Sequence, residues 1–149
     1  MSAPALIALA HGSRDPRSAA TVNALVSLTR ELRPDLRIET AFLDHARPRF
    51  DKVVAKLVKA GFDEIVVVPL LLTDAFHASV DVPAAIETAI ATHPGLRIRA
   101  SKVLGLRMSF LEVLDKRLRE ALGAAGAMVE TVRGAGYRLT AQPQALLRA

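Results

Sequence analysis

Between Glu64 and Leu71 the chain reads Glu-Ile-Val-Val-Val-Pro-Leu-Leu, an apolar, β-branched run broken only by proline. A strand with water on one face alternates apolar and polar residues. An apolar run without alternation belongs where both faces of a sheet are covered, as in parallel α/β sheets. The run therefore predicts a strand in the middle of a sheet, with helices on either side.

The flanking pattern agrees. Ala5 to Ala10 reads as a first strand, and Asp15-Pro16 as the N-cap and first position of a helix carrying Val22, Leu25, Val26 and Leu32, stopped by Pro34. A second strand is expected from about Arg37 to Leu43. After Pro48, the stripe Phe50, Val53, Val54, Leu57 and Val58 predicts a helix ending at Gly61. A third helix is expected around Val82 to Thr92, a short strand around Leu96 to Ala100, and a fourth helix on Phe110, Leu111, Leu114, Leu118 and Leu122. Four β-α units without an internal repeat predict an α/β three-layer sandwich: a four-stranded parallel sheet in the order 2-1-3-4, flanked by helices. Gly123 to Gly126 reads as a flexible break, and Met128 to Thr140, around Arg133-Gly-Ala-Gly136, as a C-terminal β-hairpin. Residues 1–122 are thus expected to form the α/β domain, and 123–149 a break, hairpin and tail that make no separate domain.

Composition narrows the chemistry. The chain has 149 residues, 51% of them hydrophobic, with one Tyr and no Trp, so the core must be aliphatic. There is no cysteine, which removes disulfides, thiolate metal sites and Cys nucleophiles and leaves acid–base and metal work to His, Asp and Glu. No apolar run reaches the roughly 18 residues of a membrane span and no basic leader stands at the N-terminus, so a cytoplasmic protein with no membrane partner is expected. The net charge of +5 comes mostly from scattered arginines. Without a dense basic run, a carboxylate-rich small molecule is a better expected partner than nucleic acid.

In a doubly wound sheet, ligands bind outside the carboxyl ends of the strands where the order reverses. With strands one and three adjacent, that crevice lies between His11 and His77. His11 is followed by Gly12, which permits close backbone approach, and by the hydroxyl of Ser13 and the guanidinium of Arg14. A loop histidine bonded to a helix start, or a phosphate site, would use the same residues. His77 has Asp74 before it and Asp81 after it, either of which can orient its ring, although a partly buried loop histidine would look the same. His45 follows the second strand and reads either as a third imidazole or as a helix cap. His93, in a turn before Pro94-Gly95, belongs at the opposite sheet edge. G-x-S-x-G, P-loop and G-x-G-x-x-G motifs are absent from the sequence.

Four strings occur in one order: Ala10-His-Gly-Ser-Arg-Asp-Pro16, Ala41-Phe-Leu-Asp44 with Pro48, Val67-Val-Pro-Leu-Leu-Leu72, and His77-Ala-Ser-Val-Asp-Val-Pro83. Over about residues 4 to 122 the chain resembles the sirohydrochlorin chelatases of the CbiX and SirB type. The resemblance implies a class II chelatase fold and insertion of Co²⁺ or Fe²⁺ into sirohydrochlorin, in cobalamin or sirohaem biosynthesis. It implies His11 and His77 as metal-handling catalytic residues, with Asp44 beside them where many relatives carry Glu. Phe76 stands where a glycine often precedes the second histidine.

The residues suit that chemistry, because metal insertion needs an ion delivered and two pyrrole protons removed. Neutral imidazole, with an ordinary pKa of about 6.5, does both and does not hold Fe, Co or Ni irretrievably. Gly12, Ser13, Arg14, Arg47 and Asp81 are the expected substrate-binding residues, with Arg17 nearby. The arginines would pair with the eight carboxylates of sirohydrochlorin or a related tetrapyrrole. No cofactor is expected beyond the divalent metal substrate, Co²⁺, Fe²⁺ or Ni²⁺. Long relatives carry two tandem halves facing one cleft, so a single-half chain is expected to act as a homodimer. The string Val129-Glu-Thr-Val-Arg-Gly-Ala-Gly-Tyr-Arg-Leu139 resembles the wing hairpin of OmpR-type regulators. That likeness raises the alternative of a non-catalytic tetrapyrrole- or metal-sensing module.

Overall fold

The computed structural model describes residues 3–72, 80–105, 108–123, 129–132 and 136–139. It divides into two compact units, Met1–Gly105 and Leu106–Ala149. The first unit contains strands β1 (Ala5–Ala10), β2 (Ile38–Phe42), β3 (Glu64–Pro69) and β4 (Arg97–Ala100), with helices α1 (Pro16–Leu32), α2 (Phe50–Lys59) and α3 (Val82–Thr92) between them. All pairings are parallel, in the expected order β2-β1-β3-β4. Leu6 stands opposite Ile38 on one side and Val66 on the other.

Strand periodicity divides the sheet's side chains into two sets. Ala5, Ile7 and Leu9 of β1, Ala41 of β2, and Ile65 and Val67 of β3 meet Phe50, Val53, Val54 and Leu57 of α2 and Val82 and Ala89 of α3 in the main core. On the other face a smaller cluster joins Ala8 and Ile38 to Val26 of α1. The α2 stripe read from the sequence is this packing face, since its first four members are all buried. Leu57 is fully buried, and Leu57→Ala is expected to destabilise the fold by about 2–5 kcal/mol through lost transfer energy and the cavity left behind. Urea unfolding checks this, with Leu28→Ala, at a half-exposed position, expected to change stability by no more than about 0.5 kcal/mol.

Two expectations are modified. The apolar run of β3 is covered unequally: Ile65, Val67 and Pro69 are buried, whereas Val66 and Val68 are only half-buried. On α1, only Val26 is buried; Leu25 is 50% and Leu32 72% exposed. Beside α1 the sheet contributes Ala8 and Ile38 to a small cluster in which Val26 is the helix's buried member.

Local chemistry sets the boundaries. The Asp15 carboxylate accepts the Arg17 N–H (3.0 Å) with Pro16 in the first turn, which starts α1 as expected. Helix α1 ends where the Arg33 N–H bonds the Thr29 carbonyl. Edge strand β2 is held from outside at both ends. Arg30 donates Nε and Nη2 to the Ile38 carbonyl (2.8 and 2.6 Å), and the Phe42 N–H donates to the Pro48 carbonyl (3.0 Å). At the far edge, Arg97 pairs with Asp63 and Glu64, and Arg99 with Glu64.

In the second unit, α4 (Met108–Leu122) carries an i, i+4 ion pair between Asp115 and Arg119 (2.8 Å). Strands β5 (Val129–Val132) and β6 (Gly136–Leu139) pair antiparallel, Val132 opposite Gly136, and form the hairpin expected there. No helix among the described residues is long and apolar enough to cross a membrane.

Candidate functional site

Two loops leave the carboxyl end of the sheet side by side, His11 to Asp15 after β1 and Leu43 to Arg49 after β2. Backbone bonds extend the β1–β2 ladder into them: the Leu43 N–H donates to the Ala10 carbonyl (3.0 Å) and the Asp44 N–H to the His11 carbonyl (2.8 Å). Gly12 sits at φ +96°, and a Cβ built there would lie 1.8 Å from the Asp44 carbonyl oxygen. Glycine is required twice over, for its positive φ and for the other loop's backbone lying where a side chain would be.

The clasp brings His11 and Asp44, both expected in the site, to neighbouring loops. His11 is half-buried, with Nδ1 3.2 Å from the Gly12 carbonyl oxygen. Because a carbonyl only accepts, this contact favours the proton on Nδ1 and puts the lone pair of the neutral ring on Nε2. The Asp44 carboxylate accepts the His45 N–H (2.8 Å) and Arg49 Nη1 (2.6 Å), both on Oδ1. The His45 N–H first, and then the Arg49 guanidinium, hold its carboxyl below the usual range.

A carboxyl lowered in the folded state stabilises the fold at pH values above its unfolded value of about 3.9 and loses that contribution as pH falls through the folded value. Asp44 is therefore ionised, and adds what stability it adds, throughout the neutral range. Arg49→Ala is expected to move the Asp44 titration upward without bringing it to the ordinary value, since the His45 N–H stays in place. Carbon-detected NMR of the carboxyl measures this, and an unmoved titration would show that Arg49 does not tune it.

His45 lies between them. Its φ is +56°, and the Ala46 N–H closes a three-residue turn onto the Asp44 carbonyl (2.6 Å) with His45 at its centre. The His11 and His45 ring centroids are 6.0 Å apart, and His45 Nε2 is 3.7 Å from Asp44 Oδ2. Beyond the turn, a cis Arg47–Pro48 peptide leads into α2. Asp44, His45, Arg47, Pro48, Arg49 and Lys52 line an open cleft of about 940 Å³. Arg49, which no sequence motif singled out, is the cation that orients Asp44; its five-residue offset from Asp44 carries no helical or strand signature.

The other expected residues are distributed as follows. Ser13 Oγ accepts the Asp15 N–H (3.1 Å), which gives the hydroxyl a place in starting α1. Arg14 is exposed in the same loop. Arg17 is 89% exposed and forks onto Asp15, with Nη2 to Oδ2 at 2.6 Å. Arg47 is exposed on the cleft. Asp81 occupies the N-cap position of α3 in helical conformation, without a side-chain cap bond. His93 caps the opposite end of α3, its N–H on the Ala89 and Ile90 carbonyls. His77 and Asp74 fall within 73–79, outside the described residues, between the end of β3 and the start of α3. Among the described residues no three His, Asp or Glu side chains gather to enclose a metal ion.

The sequence model of the CbiX family matches residues 5–121. A sirohydrochlorin cobaltochelatase of Priestia megaterium is 30% identical over 111 residues, covering 74% of this chain and 36% of its own length. Among solved structures, a CbiX protein of Marinobacter aquaeolei superposes with a TM-score of 0.69 at 32% identity, over 82% of this chain and 99% of that one. The sirohydrochlorin chelatase SirB of Bacillus subtilis subspecies spizizenii, solved in complex with cobalt, gives a TM-score of 0.73 at 28% identity, over 78% of this chain and 50% of that one. The chain spans from about a third to about half of the length of the first curated relatives it matches.

Proposed function

The chain belongs to the CbiX family, and from that premise we propose that it inserts a divalent metal, Co²⁺ or Fe²⁺, into sirohydrochlorin. The supporting observation is the loop clasp, which sets His11 and Asp44 on adjacent loops at the carboxyl end of a parallel sheet, where such folds bind ligands. The family match over 5–121 supports taking residues 1–122 as the catalytic part.

In the reaction the ion enters as M²⁺ and two N–H protons leave, so the macrocycle's charge is unchanged. An imidazole lone pair serves one partner at a time. In this reading Nε2 of His11 first holds the ion; once the pyrrole nitrogens take it, the same atom accepts a proton. His77 does the same for the second proton, while ionised Asp44 lowers the cost of gathering positive charge there. Gly12, expected to meet the substrate, acts in this reading by letting the Asp44 backbone close against the His11 loop. Ser13, Arg14, Arg47 and Asp81 meet its periphery, with the arginines on the acidic side chains.

No cofactor besides the metal substrate enters this scheme. In this reading the chain acts as a homodimer, in which a second copy supplies the other wall of the cleft. The absence of cysteine suits the cytoplasm, and the scattered arginines suit a carboxylated tetrapyrrole better than nucleic acid.

The test follows sirohydrochlorin absorbance with Co²⁺, Fe²⁺ or Ni²⁺, with and without protein. Insertion faster than the uncatalysed rate with at least one ion is expected. No acceleration with any of them sinks the enzyme, and tight tetrapyrrole binding without turnover would mark a sensing module instead.

A further inference from the structure

Asp44 and His45 stand side by side in the loop after β2, with His11 on the neighbouring loop, and His45 is the residue that the resemblance does not assign. Its backbone is the first clue. At φ +56° a β-carbon-bearing residue is strained, and such strain is kept where the surroundings impose it, commonly at binding sites. The turn closed by the Ala46 N–H holds the ring at the tip of the loop, half exposed to the cleft.

The second clue is a distance. Two donors each about 2.1 Å from one ion at a tetrahedral angle stand about 3.4 Å apart. His45 Nε2 and Asp44 Oδ2 are 3.7 Å apart, too far for a hydrogen bond and close to that bite. The other carboxylate oxygen is fixed by the His45 N–H and Arg49, which orients Oδ2 toward the ring.

We infer that Asp44 Oδ2 and His45 Nε2 form an open, two-donor seat for a divalent first-row ion, from which the ion passes to His11, whose ring centroid lies 6.0 Å from that of His45. Two donors with Arg49 close behind hold a cation weakly, and weak holding is what a site that hands its ion onward requires. The inference rests on the proposed metal insertion only for the choice of ion.

The experiment uses the full-length chain and Co²⁺ or Zn²⁺ alone. His45→Gly suits the test because glycine accepts φ +56° without strain. Calorimetric Co²⁺ affinity is expected to fall about 10- to 100-fold in this variant, with its thermal midpoint no lower than wild type. In the unmutated chain, Zn²⁺ is expected to shift the ring resonances of both His45 and His11. An affinity within twofold of wild type, ring signals that shift at His11 but not at His45, or a wild-type chain that binds no Co²⁺ would each overturn the seat. A chain that binds Co²⁺ through His45 yet leaves sirohydrochlorin unmetallated keeps the seat and overturns the proposed reaction.

Discussion

Gly12→Ala is expected to destabilise the first unit by about 2–4 kcal/mol, the sum of forcing a side chain into φ +96° and driving a Cβ against backbone. The obstruction is the Asp44 carbonyl oxygen, 1.8 Å from the added carbon, and not the movable end of a flexible side chain. Relief requires the two loops to part. That breaks the Asp44 N–H bond to the His11 carbonyl and separates the residues the site needs together. Urea unfolding should show a lower midpoint with an unchanged slope, and metal insertion should fall even where the variant remains folded. A wild-type midpoint would mean that the clasp is not part of the folded protein in solution. Gly61→Ala is the comparison: its φ is +89° but nothing lies within 4 Å of the added carbon, so it carries the conformational penalty without the collision.

His11→Ala is expected to lower the rate of metal insertion by about 10²- to 10⁴-fold, the range for loss of a positioned proton acceptor. Stability should change by no more than about 0.5 kcal/mol, because the ring is half exposed and stands outside both apolar clusters. The contrast with Gly12→Ala is diagnostic: one change acts on the scaffold and through it on the chemistry, the other on the chemistry alone. Initial rates followed by absorbance, paired with urea unfolding of the same preparations, separate them. A fully active His11→Ala chain would move the metal-handling site elsewhere.

Much of the fold was legible because its signals are local. The Phe50, Val53, Val54, Leu57 stripe is a helical face by spacing alone, and Asp15-Pro16 starts a helix by side-chain chemistry and a fixed φ. The strand order followed from short right-handed connections and matches the pairings found. Which apolar residues of α1 are buried was not legible, because Leu25, Leu28 and Leu32 are as apolar as Val26 and only the tertiary contact of Val26 with Ala8 and Ile38 distinguishes it. At the site, His11 was legible as a residue following a strand, and Asp44 only through the family resemblance. The geometry of His45 was not, because it arises from a positive φ and a turn bond between Ala46 and Asp44 that leave no pattern in residue types. Gly12 was read as allowing a ligand to approach; the structure adds that Asp44's own carbonyl occupies the space.

The fastening of β2 limits how copies of this chain can join. A sheet grows by offering the N–H and C=O groups of its outermost strand to another strand, and an endless ribbon needs both borders open. On the β2 border, Arg30 occupies the Ile38 carbonyl and Pro48 the Phe42 N–H, leaving too short a stretch between them for a newcomer to align with. Strand addition is thereby confined to the β4 border, where Arg97 and Arg99 set charge along a four-residue strand. Within this four-stranded sheet, a building block with one joinable border closes after a single edge-to-edge pairing.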